Sequence, residues 1–267
     1  MTILRPLSLI AAALAASAAL AAPAAAQPRQ GVVHPPDQAR TPLRALGAQV
    51  YAANCVSCHG TDGLGVTPGA PQRAAGGIEG AGPPLRGVGA LAPDFYLRTG
   101  YMPLGSVDEQ PERSRVQFSE REIRAVVAYI ASLGGGPPVP DPHPERGNVA
   151  EGLRLFTEHC AGCHQVVAEG GVVTGARVPP LDRASPVQIA QAVRIGPYVM
   201  PTFSKRAISD AQLDSIIRYV QYAKRPDDRG GWGIGHIGPV PEGMVTWLIG
   251  AVVLVGVCLG LGRRLAA

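Results

Sequence analysis

Two stretches of this chain carry apolar residues at i, i+3, i+4 and i+7. One is Ile123, Val126, Val127 and Ile130; the other is Leu213, Ile216, Ile217 and Val220. That spacing places all four on one face of an α-helix. Each stretch is preceded by the same start signal. Ser119 and Ser209 stand at the N-cap, Glu122 and Gln212 complete a capping box, and Phe118/Ile123 and Ile208/Leu213 form hydrophobic staples. Two further stretches are apolar without periodicity. Leu7–Leu20, behind Arg5 and ahead of Ala24-Ala25-Ala26, reads as an export signal, with a retained anchor helix as the alternative. Met244–Gly262 has no charge over about 28 Å of helix, close to the hydrocarbon thickness, and Arg263 and Arg264 follow at once. It predicts a membrane helix with its C-terminal end on the cytoplasmic side and Trp247 as an interface anchor.

The two periodic helices belong to a larger internal repeat. Gly47-x-x-x-Tyr51-x-x-x-Cys55 matches Gly152-x-x-x-Phe156-x-x-x-Cys160, 105 residues on. Gly82-Pro83-Pro84-Leu85 matches Val178-Pro179-Pro180-Leu181, Arg98-Thr99-Gly100 matches Arg194-Ile195-Gly196, and Met102-Pro103 matches Met200-Pro201. Tyr129 and Tyr219 fall at the same place in the two periodic helices. The first copy is longer, chiefly in a Gly-rich loop at Thr61–Ala81. Between the copies, Gly134–Pro144 is dense in proline, which makes a semi-rigid spacer. The chain divides into a signal (1–26), an extended arm (27–43), a first repeat (44–134), a Pro-rich linker (135–147), a second repeat (148–225), a Gly/Pro loop (226–242), a membrane helix (243–262) and a short tail (263–267).

The chemistry sits where each repeat's first helix ends. Cys55-Val56-Ser57-Cys58-His59 and Cys160-Ala161-Gly162-Cys163-His164 are both C-x-x-C-H, the attachment signature of c-type haem. Two thiols add to the two vinyl groups of one porphyrin, and the adjacent histidine then faces the iron. A thioredoxin-like redox pair does not require the histidine, and a zinc site needs further Cys or His at matching spacing. Four of the five cysteines are used this way, and Cys258 lies in the membrane stretch. His59 and His164 are the proximal ligands by position. Of four methionines, Met1 starts the chain and Met244 opens the membrane helix; Met102 and Met200 occupy equivalent repeat positions and are the candidate sixth ligands. A thioether ligand raises the reduction potential and closes the iron to O₂ or peroxide. His34, His143 and His236 are the alternative ligands, but all stand in Pro/Gly-rich connectors. The net charge of +4, with only Lys205 and Lys224 among 24 basic residues, is too mild and dispersed for nucleic acid.

Each repeat resembles a class I cytochrome c domain: a helix with Gly and an aromatic, C-x-x-C-H, a Pro-Leu turn, a loop Met and a closing amphipathic helix. The resemblance implies an all-α fold, two tandem class I cytochrome c domains plus one C-terminal transmembrane helix. Over most of residues 40–265 the chain is similar to the dihaem cytochrome c subunits of actinobacterial-type menaquinol–cytochrome c reductases, the bc1 complexes. Order, length, anchor and the stretch from Gly230 to Met244 carry that likeness. It implies two covalent haems c, with the Pro83 and Pro179 carbonyls accepting the Nδ1–H of His59 and His164. Arg98 and Arg194 become candidates to neutralise haem propionates, an exposed role being the alternative. The implied function is relay of single electrons from a Rieske iron–sulfur protein to an aa3-type cytochrome c oxidase, beside cytochrome b. The complex is an oxidoreductase; the subunit alone turns over no substrate. Alternatives are a membrane-anchored dihaem carrier of the cytochrome c4 kind, a cytochrome subunit of another dehydrogenase or oxidase, or a dihaem peroxidase, which needs an open iron.

Overall fold

The structure, a computed structural model, describes residues 31–66, 82–105, 110–225 and 239–265. The export signal, most of the Thr61–Ala81 loop and residues 226–238 lie outside the described residues. In chain order the helices are α1 (Leu43–Asn54), α2 (Val56–His59), α3 (Leu91–Arg98), α4 (Glu120–Ala131), α5 (Val149–His159), α6 (Ala161–His164), α7 (Pro186–Ile195), α8 (Asp210–Lys224) and α9 (Pro239–Leu265). A short hairpin, β1 (Gly171–Val173) and β2 (Ala176–Val178), interrupts an otherwise helical chain, which the all-α expectation did not include.

The described chain forms two compact units. The first contains residues up to Pro142 together with Val173–Pro179 and Ala184–Asp210; the second contains His143–Val172, Pro180–Arg183 and the chain from Ala211. The boundary does not follow the sequence repeat, because α7 and Met200 fall in the first unit.

In the first unit, α1 and α4 cross at Gly47. A Cβ there would sit 2.6 Å from the Ala125 carbonyl carbon and 2.8 Å from Tyr129 Cβ. The absent side chain lets the backbones meet, and Leu46, Val50, Tyr51, Ile123, Val126 and Ile130 close around the crossing as the core. Helix α4 starts as predicted: Ser119 accepts from the Glu122 N–H, and the Glu122 carboxylate accepts from the Ser119 N–H at 2.8 Å. Glu122 is fully buried, and the N-terminal arm completes its shell, with His34 Nδ1 at 2.7 Å and Gln38 Nε2 at 2.9 Å. The spacer is docked rather than free at its start, since the Ala90 and Leu91 N–H groups both donate to the Pro137 carbonyl at 3.1 Å.

Also in this unit, α3 packs against α7. At that contact Gln191 Nε2 donates to Asp94 Oδ2 at 2.8 Å; Gln191 is fully buried, and among the described residues its Oε1 has no partner. Neither α3 nor α7 has the length or apolar stripe to be read as a helix from periodicity. Helix α7 is set by a capping box, Ser185 with Gln188, and by Pro186 in its first turn.

The second unit repeats the first crossing. A Cβ at Gly152 of α5 would lie 2.7 Å from the Ser215 carbonyl carbon and 2.8 Å from Tyr219 Cβ of α8. Phe156 and Tyr219 pack as a tilted pair with centroids 5.3 Å apart at 53°, against 5.3 Å and 50° for Tyr51 and Tyr129 in the first unit. The spacer's end is docked here: the His143 N–H donates to Asp214 at 2.7 Å, and Arg218 donates to the Glu145 carbonyl at 2.9 Å. Helix α9 is longer than the uncharged stretch that predicts it. Its span from Glu242 to Leu265 is 24 residues, apolar enough to cross a membrane, and none of it is buried by the other described residues.

Candidate haem sites

The two C-x-x-C-H segments fold alike to the level of single backbone bonds. Helix α1 stops at Cys55 (φ −119°, ψ −27°) and α5 at Cys160 (φ −123°, ψ −36°). Each cysteine's N–H still bonds one turn back, to Tyr51 and Phe156, at 2.8 Å. One short helical turn follows in each copy, α2 and α6, and carries the second cysteine and the histidine. The turn then ends on a residue with positive φ: Gly60 (71°, 169°) in one copy and Gln165 (59°, 159°) in the other. Beyond it, the Gly65 N–H donates to the His59 carbonyl at 2.7 Å and the Gly170 N–H to the His164 carbonyl at 3.0 Å. The Pro-Pro-Leu segment is pinned in the same way, Leu85 N–H to the Gly63 carbonyl and Leu181 N–H to the Ala168 carbonyl, both at 2.9 Å. Gly63 and Ala168 both have positive φ, a constraint that residue types alone did not reveal.

This scaffold orients the histidine. His59 Nδ1 is 2.9 Å from the Pro83 carbonyl. A carbonyl only accepts, so Nδ1 carries the proton and Nε2 is left with its lone pair, the form a metal ligand needs. Burial lowers the imidazole below its usual value, opposed in part by the Pro83 carbonyl, which favours the charged form. The neutral ring therefore dominates. Gly82 makes the approach possible: its N–H donates to the Cys58 carbonyl at 2.7 Å, and a Cβ on it would come within 2.9 Å of His59 Nδ1. His164 is buried at the end of α6.

Burial, and then the neighbouring Cys58, push the Cys55 thiol up to about 12; burial and Cys163 push Cys160 up to about 11. Among the described residues, no three His, Cys, Asp or Glu side chains converge to hold a metal ion. No two of the five cysteines are joined in a disulfide.

The donor set fits a porphyrin. Met102 packs with Cys55, Val56 and Leu85 against the α1/α4 core. Apolar side chains stand uncovered beside each motif, Leu64 after the first and Val166 and Val167 after the second. Met200 lies in the turn after α7, where its N–H donates to the Pro197 carbonyl at 3.0 Å. Arg98 and Arg194 are both committed within the protein, Arg98 to Asp94 and Glu120 and Arg194 to Asp210 and two carbonyls.

Two helical C-x-x-C-H modules of this construction, followed by an apolar helix, define a membrane-anchored c-type cytochrome. Comparison with known proteins agrees. Residues 44–134 match the family model "Cytochrome c", and residues 147–220 match "Cytochrome C oxidase, cbb3-type, subunit III". The cytochrome bc1 complex cytochrome c subunit of Corynebacterium diphtheriae is 34% identical over 240 residues, covering 82% of this chain and 80% of the relative. That of Mycobacterium bovis is 38% identical over 237 residues, covering 85% and 80%. The cbb3-type cytochrome c oxidase subunit CcoP of Azospirillum is 28% identical over 207 residues, covering 66% and 60%. The chain belongs to the family of cytochrome bc1 complex cytochrome c subunits.

Proposed function

We propose that this chain is the dihaem electron-transfer subunit of a quinol–cytochrome c reductase. It holds two haems c, one through Cys55 and Cys58 and one through Cys160 and Cys163. The axial ligands are His59 with Met102 and His164 with Met200, and the Pro83 and Pro179 carbonyls orient the histidines. When bound, haem supplies a one-electron iron centre. The chain's own part is to exclude other ligands with its methionines, to fix the imidazole tautomer and to keep both sites attached to the membrane by α9. The haem-bearing repeats stand outside the cytoplasm and the C-terminus inside. In this reading the chain sits beside cytochrome b, accepts electrons from a Rieske iron–sulfur protein and delivers them to an aa3-type cytochrome c oxidase. It thus does the work of both a fixed and a mobile cytochrome.

The observation that carries the reading is the duplicated C-x-x-C-H turn with His59 Nδ1 bonded to the Pro83 carbonyl. Family membership supports the complex. The test is mild-detergent purification through a tag on this chain, with haem spectra and subunit masses read together. The expected result is two haems c per chain, thioether-ligated, with cytochrome b, Rieske and oxidase subunits co-purifying. One haem per chain, or a missing Rieske subunit, overturns it. The likeness of residues 147–220 to a cbb3-type oxidase subunit favours one second reading, a cytochrome subunit of such an oxidase. Co-purification of a cbb3-type catalytic subunit without cytochrome b would select it.

A further inference from the structure

Met200 lies in a segment that leaves α7 and returns at the start of α8, and one guanidinium closes its base. Arg194, in the last turn of α7, donates through Nη1 to the carbonyls of Phe203 at 3.1 Å and Ile208 at 2.8 Å, and through Nη2 to Asp210 Oδ1 at 2.8 Å. Its side chain is 11% exposed. The segment is also tied across itself, with Thr202 Oγ1 donating to the Ile195 carbonyl at 2.8 Å and the Phe203 N–H to the Val193 carbonyl at 2.9 Å.

The first repeat has the same device. Arg98, in the last turn of α3, donates through Nη1 and Nη2 to both oxygens of Glu120, at 2.5 and 2.8 Å, and through Nε to Asp94 at 2.8 Å. The partners are equivalent by repeat, since Glu120 and Asp210 are the first residues of α4 and α8. The sequence spans differ, 22 residues in one copy and 16 in the other, yet the cation-to-helix-start link is kept. A lone exposed ion pair contributes little. A planar fork engaging two or three acceptors at once is where arginine differs from lysine.

We propose that Arg194 and Arg98 are positioning residues, clasps that hold Met200 and Met102 against their irons. The proposal rests on the ligand assignment above. Its test uses the full-length, haem-loaded protein in detergent, with cyanide as a probe that competes with a thioether for ferric iron. Substituting each methionine by alanine assigns the two electron paramagnetic resonance signals. Arg194→Ala raises cyanide affinity about fivefold or more at the second centre alone, and Arg98→Ala does the same at the first alone. Arg→Lys recovers part of the loss. Asp210→Asn and Glu120→Gln change only exposed side chains and give the same direction should the arginine variants fold poorly. Amide exchange over residues 197–204 quickens in the Arg194 and Asp210 variants. The clasp is overturned if both centres stay within about twofold of the parent protein, or if every variant loosens both centres equally. The ligand assignment fails separately, by absence of the thioether–iron charge-transfer band in the parent protein; exchange at residues 197–204 still reports the clasp.

Discussion

Gly47→Ala measures how closely α1 must approach α4. In an open helix interior the change stabilises by about 1 kcal/mol, because alanine has the better helix propensity. Here the new methyl lands 2.6 Å from the Ala125 carbonyl carbon and 2.8 Å from Tyr129 Cβ, where ordinary contact is about 3.5–4.0 Å. Neither atom can rotate away, so α1 must retreat by about 1 Å. A gap of that size forfeits a quarter to a half of each dispersion contact it opens, and it opens them along Leu46, Val50 and Tyr51 together. Overpacking costs typically about 1–3 kcal/mol, and an obstruction made of backbone belongs at the upper end. Subtracting the propensity gain leaves a net loss of about 2 kcal/mol, or about 10 °C in melting temperature for a domain of this size. Gly152→Ala meets the Ser215 carbonyl and Tyr219 in the same way and should lose a similar amount. The two glycines lie in different compact units, so their effects should add. Gly162→Ala is the control, since no atom lies within 4 Å of its Cβ, and it should be neutral or gain up to about 1 kcal/mol. Thermal melts of the haem-loaded protein, followed by far-ultraviolet circular dichroism and by the haem band, read all three. A Gly47→Ala protein that melts at or above the parent temperature refutes the tight crossing.

Gln165→Gly should stabilise the second repeat by about 1 kcal/mol. Gln165 holds φ 59° and ψ 159°, a region almost reserved for glycine, and Gly60 occupies the equivalent turn; a melt at or below the parent's argues against strain there. Glu122→Gln should destabilise by about 1–2 kcal/mol at neutral pH. Burial raises this carboxyl, but the Ser119 N–H and His34 outweigh it and hold the group below its usual value. Its contribution is therefore present above the unfolded carboxylate range and is lost as pH falls through the folded value. Melts across an acid series should show the difference between parent and variant shrinking as the solution is acidified; a constant difference rejects the linkage. Truncation after Arg225 should release the protein into the aqueous phase with both haem spectra intact, because among the described residues nothing buries α9; loss of haem from the truncated protein would count against that independence.

The parts that were legible in sequence share one property: the constraint and its partner lie within about one turn. Ser119 and Glu122 make a capping box by themselves, Gly47 and Tyr51 mark one helix face, and C-x-x-C-H is a complete geometric demand on five residues. Duplication then turned weak signals into strong ones. Met102 and Met200 stand out because each follows an equivalent Arg-x-Gly segment and precedes a proline, and because the other two methionines start the chain and the membrane helix. What stayed hidden depends on pairs far apart in sequence. Arg98 and Arg194 are legible as equivalent positions, yet nothing local in the sequence marks Glu120 and Asp210 as their partners. The turn that follows each histidine needs positive φ at Gly63 and Ala168, and alanine does not advertise that.

Gln191 shows why repeat logic itself has a limit. The offset that pairs Arg98 with Arg194 places Gln191 at the register of Phe95, which is buried. Read one repeat at a time, glutamine in that position marks a solvent-facing site. It is fully buried instead, bonded to Asp94, 97 residues away, and Asp94 in turn accepts from Arg98. Burying an amide with one oxygen unpaired costs stability that an aromatic there would not. A duplicated domain free to stand alone would have no reason to carry that cost. The buried amide is accommodated because α7 packs on α3 within one compact unit, where Asp94 supplies its acceptor.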